Sequence, residues 1–178
     1  MTKKLAIAFM AAALSAQVAA AQTSGPKPLE LGVDAGVTIG IGDNSTTSIS
    51  IPVGSARIGF PIGTRTSLEP KFRLNLISGD GDTFTTYRVD LGLLYHLGSS
   101  RYPGAYHRAG MYVRPFLGIS GFANGNSDSN GLAGIGLGYK MPIVSRLSSR
   151  FEANFAHHFV DGDSNEIGLL AGLSFFTR

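Results

Sequence analysis

Ser67-Leu68-Glu69-Pro70-Lys71-Phe72-Arg73-Leu74-Asn75-Leu76 alternates without a slip between apolar residues and residues that are charged or carry a hydroxyl or an amide. Strict alternation is the signature of a β-strand with two unlike faces. One face carries Leu68, Phe72, Leu74 and Leu76, the other Glu69, Lys71 and Arg73. A soluble protein buries the first face and wets the second; a barrel in a bilayer does the reverse.

The same period of two runs along the chain. From Leu29 to Gly42 the odd positions are Leu, Leu, Val, Ala, Val, Ile and Ile, while the even ones are Glu30, Asp34, Thr38 and glycines. Further alternating runs fall at about 48–60, 66–77, 84–97, 111–122, 131–141, 147–159 and 166–176, which predicts eight strands. The second changes phase between Ile51 and Ile58, near Pro52 and Gly54, and is read as bulged. Pro70 has no ladder donor, and a local irregularity is expected around it. Several runs exceed the five or six residues usual in globular sheets and suit tilted strands crossing a bilayer. No helical periodicity follows the N-terminal segment, so no second layer is available to cover a sheet.

The polar face decides between the two solvents. It is a mixture of Gly, Ser, Thr and a few charges of both signs, unlike the Lys/Glu-rich surface of a soluble protein. Glycine in a strand costs stability unless something large approaches it closely. Turned inward, this face places Glu30, Asp34, Glu69, Asp90 and Glu152 with Arg57, Lys71, Arg73, Arg88, Arg114, Lys140 and Arg150 in a closed interior. Buried charges need partners, and both signs are present in comparable number. Turned outward, Lys71 and Arg73 would each cost about 2 to 4 kcal/mol near the bilayer midplane. The predicted fold is an all-β, eight-stranded antiparallel up-and-down transmembrane barrel with a polar interior; a soluble periplasmic barrel is the architectural alternative.

The first residues read as a leader. Lys3 and Lys4 precede an apolar run, Leu5 to Leu14, and Ala19-Ala20-Ala21 forms a small-residue cleavage site. Residues 1–21 are expected to be a cleaved signal peptide and 22–178 one barrel domain. Without Lys3 and Lys4 the 15 basic residues fall to 13 against 12 acidic ones, so the mature chain is nearly neutral and nucleic acid is not an expected partner. The chain has no cysteine, which excludes disulfides, thiolate metal sites and thiol nucleophiles.

The connections alternate in chemistry. GDNSTTS (42–48), SGDGDT (78–83), ANGNSDSNG (123–131) and VDGDSN (160–165) contain acid and no base, whereas the others carry Arg65, then Arg101, His107 and Arg108, then Arg146. Two unlike ends suit a barrel facing two compartments, with both termini at the basic, periplasmic end. Tyr87, Tyr95, Tyr139, Phe155, Phe159 and Phe175 lie near strand ends and suit aromatic girdles.

With its leader, eight alternating strands and closing segment GLLAGLSFF (168–176), the chain resembles the small bacterial outer-membrane β-barrels of the OmpA/OmpX type. The resemblance implies location in the outer membrane of a Gram-negative-type bacterium, a surrounding of outer-membrane lipid and lipopolysaccharide, insertion by the barrel assembly machinery, and a monomer. Thr177 and Arg178 follow Phe176, where the family usually ends on an aromatic residue.

Chemistry-bearing motifs are sparse. His157 and His158 precede Asp161, Asp163, Ser164 and Glu166, a faint likeness to lipid A deacylases, but the His-x-Ser spacing of that family is missing; His158 is read as a structural residue facing the interior. Asp80 with Asp82, and Asp161 with Asp163, are candidate weak cation-binding loops, although the glycine and distant glutamate of a calcium loop are absent. Catalytic residues, a resident metal and a cofactor are not expected. The expected function is non-enzymatic, a contribution to envelope integrity or surface interaction. The alternatives are a small ion or solute channel and, less well supported, a lipid A-modifying hydrolase.

Overall fold

The computed structural model describes residues 28–42, 48–79, 82–98, 109–124, 126–159 and 164–177. The leader and the side chains of Asp80, Asp82, Asp161 and Asp163 lie outside that description. Eight strands form a closed, wholly antiparallel barrel in sequential order: β1 (Glu30–Gly42), β2 (Ser48–Pro61), β3 (Thr66–Gly79), β4 (Asp82–His96), β5 (Gly110–Asn124), β6 (Asn126–Val144), β7 (Leu147–Phe159) and β8 (Ser164–Phe176). Each strand pairs with its successor, and β8 closes on β1 from Glu30↔Phe176 to Gly42↔Ser164. No described helix is long and apolar enough to cross a membrane.

The faces sort by side-chain parity. Leu31, Val33, Phe72, Leu74, Val89, Leu117, Leu137 and Leu169 are exposed on the outer wall, and Tyr95, Tyr139, Phe155, Phe159 and Phe175 project from it. Seven hydrophobic side chains are buried among the described residues, against eighteen polar or charged ones. That ratio inverts the core of a soluble protein, in which Lys, Arg, Asp and Glu are almost never fully buried unless paired. A soluble barrel would have the opposite sorting.

Proline accounts for the irregular places. In the β1·β2 ladder Gly36 pairs with Val53 and Thr38 with Ser50, so Ile51 and Pro52 together oppose Val37. This is the bulge that the phase change in the sequence located. Pro70 pairs with Leu91 in an unbroken β3·β4 ladder, while on its other side the β2·β3 pairs skip from Arg57↔Lys71 to Phe60↔Leu68. The missing donor therefore costs pairing toward β2 and no shift of register. Pro115 does the same between β4 and β5, where the pairs skip from Gly92↔Phe116 to Tyr95↔Val113. At Pro142 one residue, Ile143, is bulged out of β6.

One end of the barrel carries the β2–β3 and β6–β7 turns and both ends of the described chain. Ile62 and Gly63 donate to the Thr66 carbonyl at 3.1 Å each, closing the β2–β3 turn that carries Arg65, and Phe176 donates to the Arg146 carbonyl at 3.0 Å. Thr177 donates to the Leu29 carbonyl at 2.9 Å, which ties the two ends of the described chain together beside that turn. The opposite end carries the acidic connections.

Candidate functional site

The interior is the site that the sequence singles out, and all eight strands contribute to it. Because alternate residues point inward, every second position of each strand adds a layer to one central column. The column is one continuous chain of ion pairs.

Near the turn end, Glu30 on β1 accepts from Arg57 at 2.6 Å, Lys140 at 2.5 Å and Ser174 at 2.7 Å. Arg57 turns its Nε to both oxygens of Asp34 at 3.1 Å. Lys71 lies 3.5 Å from Asp34 and donates to Glu152 at 3.3 Å, crossing from β3 to β7. At mid-height, Glu69 receives Arg150 through two bonds of 2.5 and 3.0 Å, with the Arg114 Nε at 2.9 Å. Arg150 also donates to Glu152 and, at 2.5 Å, to the Tyr112 hydroxyl, which in turn donates to Glu152 at 2.8 Å. Arg114 continues to Asp90, and Asp90 accepts from Arg88 at 3.2 Å.

Near the loop end the pattern thins. Arg88 donates to Glu166 at 2.7 Å and Arg73 to the same carboxylate at 3.3 Å. Arg73 and Arg88 are direct cross-strand partners of like charge, which is destabilising unless an anion sits between them; Glu166 from β8 is that anion. Deeper in, the five carboxylates Glu30, Asp34, Glu69, Asp90 and Glu152 face the five bases Arg57, Lys71, Arg114, Lys140 and Arg150. The loop-end layer holds two guanidiniums and one carboxylate, a surplus of one positive charge.

Two aromatic residues complete the column. The guanidiniums of Arg88 and Arg114 stand 5.1 and 5.0 Å from the Phe116 ring centre, and Arg150 stands 4.7 Å from that of Tyr112. Such stacking keeps a desolvated cation in contact with a π-face. Space for these large side chains comes from inward glycines. A Cβ on Gly92 would collide with the Arg114 side chain and one on Gly138 with the Tyr112 hydroxyl.

All twelve charged residues that alternation assigned to the inner face lie inside the barrel, each at most 7% exposed. Their pairing reaches beyond adjacent strands. Glu69 on β3 serves Arg150 on β7 and Arg114 on β5, because the stagger of a closed barrel brings those side chains to its level. Glu166, Tyr112 and Phe116 are members that sequence reasoning missed. Glu166 shares parity with the inward Gly168 and Leu170, the one signal that was available for it. His158 is half-buried with its Nδ1 3.0 Å from the Ser120 hydroxyl, and His157 lies 3.0 Å from the Asn165 side-chain oxygen. Glu166 is committed to Arg73 and Arg88. No cluster of three potential metal ligands occurs among the described residues.

The sequence matches the family described as the outer membrane protein beta-barrel domain over residues 6–175. Among solved structures, Neisserial surface protein A is similar at 12% identity with a TM-score of 0.62, over 83% of this chain and 96% of that one. The attachment invasion locus protein of Yersinia pestis is similar at 12% identity with a TM-score of 0.54, over 85% of this chain and 100% of that one. At such identities the likeness is one of fold. No curated protein matches the chain.

Proposed function

On the premise that the chain belongs to the outer membrane protein beta-barrel domain family, we propose that it is a closed, non-enzymatic outer-membrane barrel whose role is carried by its surface, in envelope integrity or surface contact, and not by a conducting interior. The observation that carries this reading is the continuous ion-pair column from Lys140 to Arg73. Glu69 is 0% exposed, and Arg114 and Arg150 are 1% exposed each, in the middle of the barrel. An ion crossing it would have to displace paired charges at every layer, each pair costing several kcal/mol to break.

The surrounding medium is outer-membrane lipid, with lipopolysaccharide facing the loop end and both termini in the periplasm. Residues 1–21 are a signal peptide removed on export; the barrel assembly machinery inserts residues 22–178, which act as a monomer. The acidic connections, Asp80, Asp82, Asp161 and Asp163 among them, offer loose sites for divalent cations between the protein and lipopolysaccharide phosphates. Planar-bilayer recording of the refolded barrel tests the plug. The expected trace is flat; reproducible unit conductance that changes in Glu69→Gln would replace this reading with the channel.

A further inference from the structure

Seven of the eight seams of the barrel are paired close to the loop end. The β1·β2 ladder runs to Gly40↔Ser48 and the β3·β4 ladder to Gly79↔Asp82. Between β2 and β3, however, the last pair toward that end is Ser55↔Arg73. Beyond it, Ser48–Gly54 of β2 pairs only with β1, and Leu74–Gly79 of β3 only with β4, among the described residues. The two hairpins diverge into a notch with sides of about six or seven residues, roughly 20 Å of strand at ~3.3 Å per residue. Its sequence cause is the Ile51–Pro52 bulge, which bends β2 and removes a donor there. Gly54, the first residue past the last pair, has no heavy atom within 4 Å of where a Cβ would stand.

Arg73 stands at the floor of this notch. Its side chain is 9% exposed, and it reaches Glu166 at 3.3 Å through Nη1 while its Nε has no hydrogen-bond partner among the described residues. A buried guanidinium N–H without an acceptor is costly. The layer it occupies is also the one with a surplus positive charge: Arg73 and Arg88 share Glu166, and only Arg88 also reaches Asp90. On the outer wall, Leu74 on β3 and its partner Tyr87 on β4 border the notch just above Arg73, at the height where an apolar band meets headgroups.

We propose that the β2/β3 notch is a lateral binding site for the phosphate of an amphiphile. The headgroup approaches sideways from the outer leaflet, and its phosphate accepts hydrogen bonds from the Arg73 Nε and the neighbouring Arg88. The acyl chains remain in the bilayer against Leu74 and Phe72. Guanidinium forks suit phosphate oxygens, and the charge-assisted bonds satisfy the donor that the protein leaves open. This inference rests on the outer-membrane reading.

Two measurements test it. Because the chain lacks cysteine, pairs can be introduced cleanly: Ala56→Cys with Phe72→Cys, which are partners, and Gly54→Cys with Leu74→Cys, which would be the next same-facing pair if the seam were zipped. Spontaneous oxidation of the first pair and not of the second is expected; equal oxidation of both overturns the notch. Native mass spectrometry of the barrel released from bilayers with equal phosphatidic acid and phosphatidylcholine is expected to show at least tenfold preferential retention of phosphatidic acid. That preference is lost in Arg73→Gln, partly restored in Arg73→Lys, and unaffected by millimolar inorganic phosphate. No preference, or equal preference in Arg73→Gln, overturns the site; displacement by inorganic phosphate overturns the lateral route in favour of an axial one. Heat-modifiable gel migration of the same samples reports folding and the membrane reading separately.

Discussion

Replacing Glu69 by Gln removes one charge and almost no volume, so its effect isolates the electrostatics of the column. Glu69 is 0% exposed and faces three guanidiniums, Arg150 through bonds of 2.5 and 3.0 Å, Arg114 at 2.9 Å and Arg57 at 3.7 Å. In the variant an NH2 group points at donors, and three buried cations lose part of their compensation. Breaking a buried pair by removing one partner costs about 3 to 5 kcal/mol. Arg150 keeps Glu152 and Tyr112, and Arg114 keeps Asp90, which holds the expected loss near the lower end, about 3 kcal/mol. Glu166→Gln is the comparison at the loop end: its side chain is 16% exposed, water reaches it, and a smaller loss than that of Glu69→Gln is expected. Equilibrium urea unfolding in phospholipid vesicles measures both. The chain has no Trp, so far-UV circular dichroism and gel mobility follow the transition. If Glu69→Gln falls within about 1 kcal/mol of the wild type, or Glu166→Gln costs more, the column does not hold the barrel together as argued.

Further outcomes are expected on the same assay. Glu69→Leu with Arg150→Met costs less than the sum of the two single changes, because removing both partners leaves no orphaned charge. Gly92→Ala loses about 1 to 3 kcal/mol as its methyl displaces Arg114, whereas Gly54→Ala, which meets nothing within 4 Å, stays within about 0.5 kcal/mol. Leu117→Arg, at a site 56% exposed on the outer wall, loses about 2 to 4 kcal/mol in bilayers and much less in a small, adaptable detergent micelle; equal losses in both media would argue against a lipid-facing Leu117.

Strand parity made most of this barrel legible. Leu68, Phe72 and Leu74 against Glu69, Lys71 and Arg73 fixed two faces, and the charges fixed which was inside. Even the β2 bulge left a trace, as the phase change near Pro52. Pairing partners left none, since a strand's period states which wall a residue faces but not the shear that sets its neighbours across the lumen. That Glu69 belongs to Arg150 is therefore written in the shear and not in the alternation of β3. Glu166 is the third residue of β8, where a single acid on an inward position is indistinguishable from a solvated strand end. The notch was equally silent, because β2 and β3 keep their alternation whether or not they touch.

The closing seam bears on how the barrel comes to exist. β1 and β8 are joined by no turn, yet their seam is paired without interruption from Glu30↔Phe176 to Gly42↔Ser164, while β2 and β3, held by the short turn at Ile62–Thr66, are the pair that parts. Strands tethered by a tight turn stay near each other with few ladder bonds; strands more than a hundred residues apart must meet the entropy of closing a long loop with hydrogen bonds alone. Closure thus waits for the last strand to be made, and a chain truncated within β8 would lose the ring and not merely shorten it.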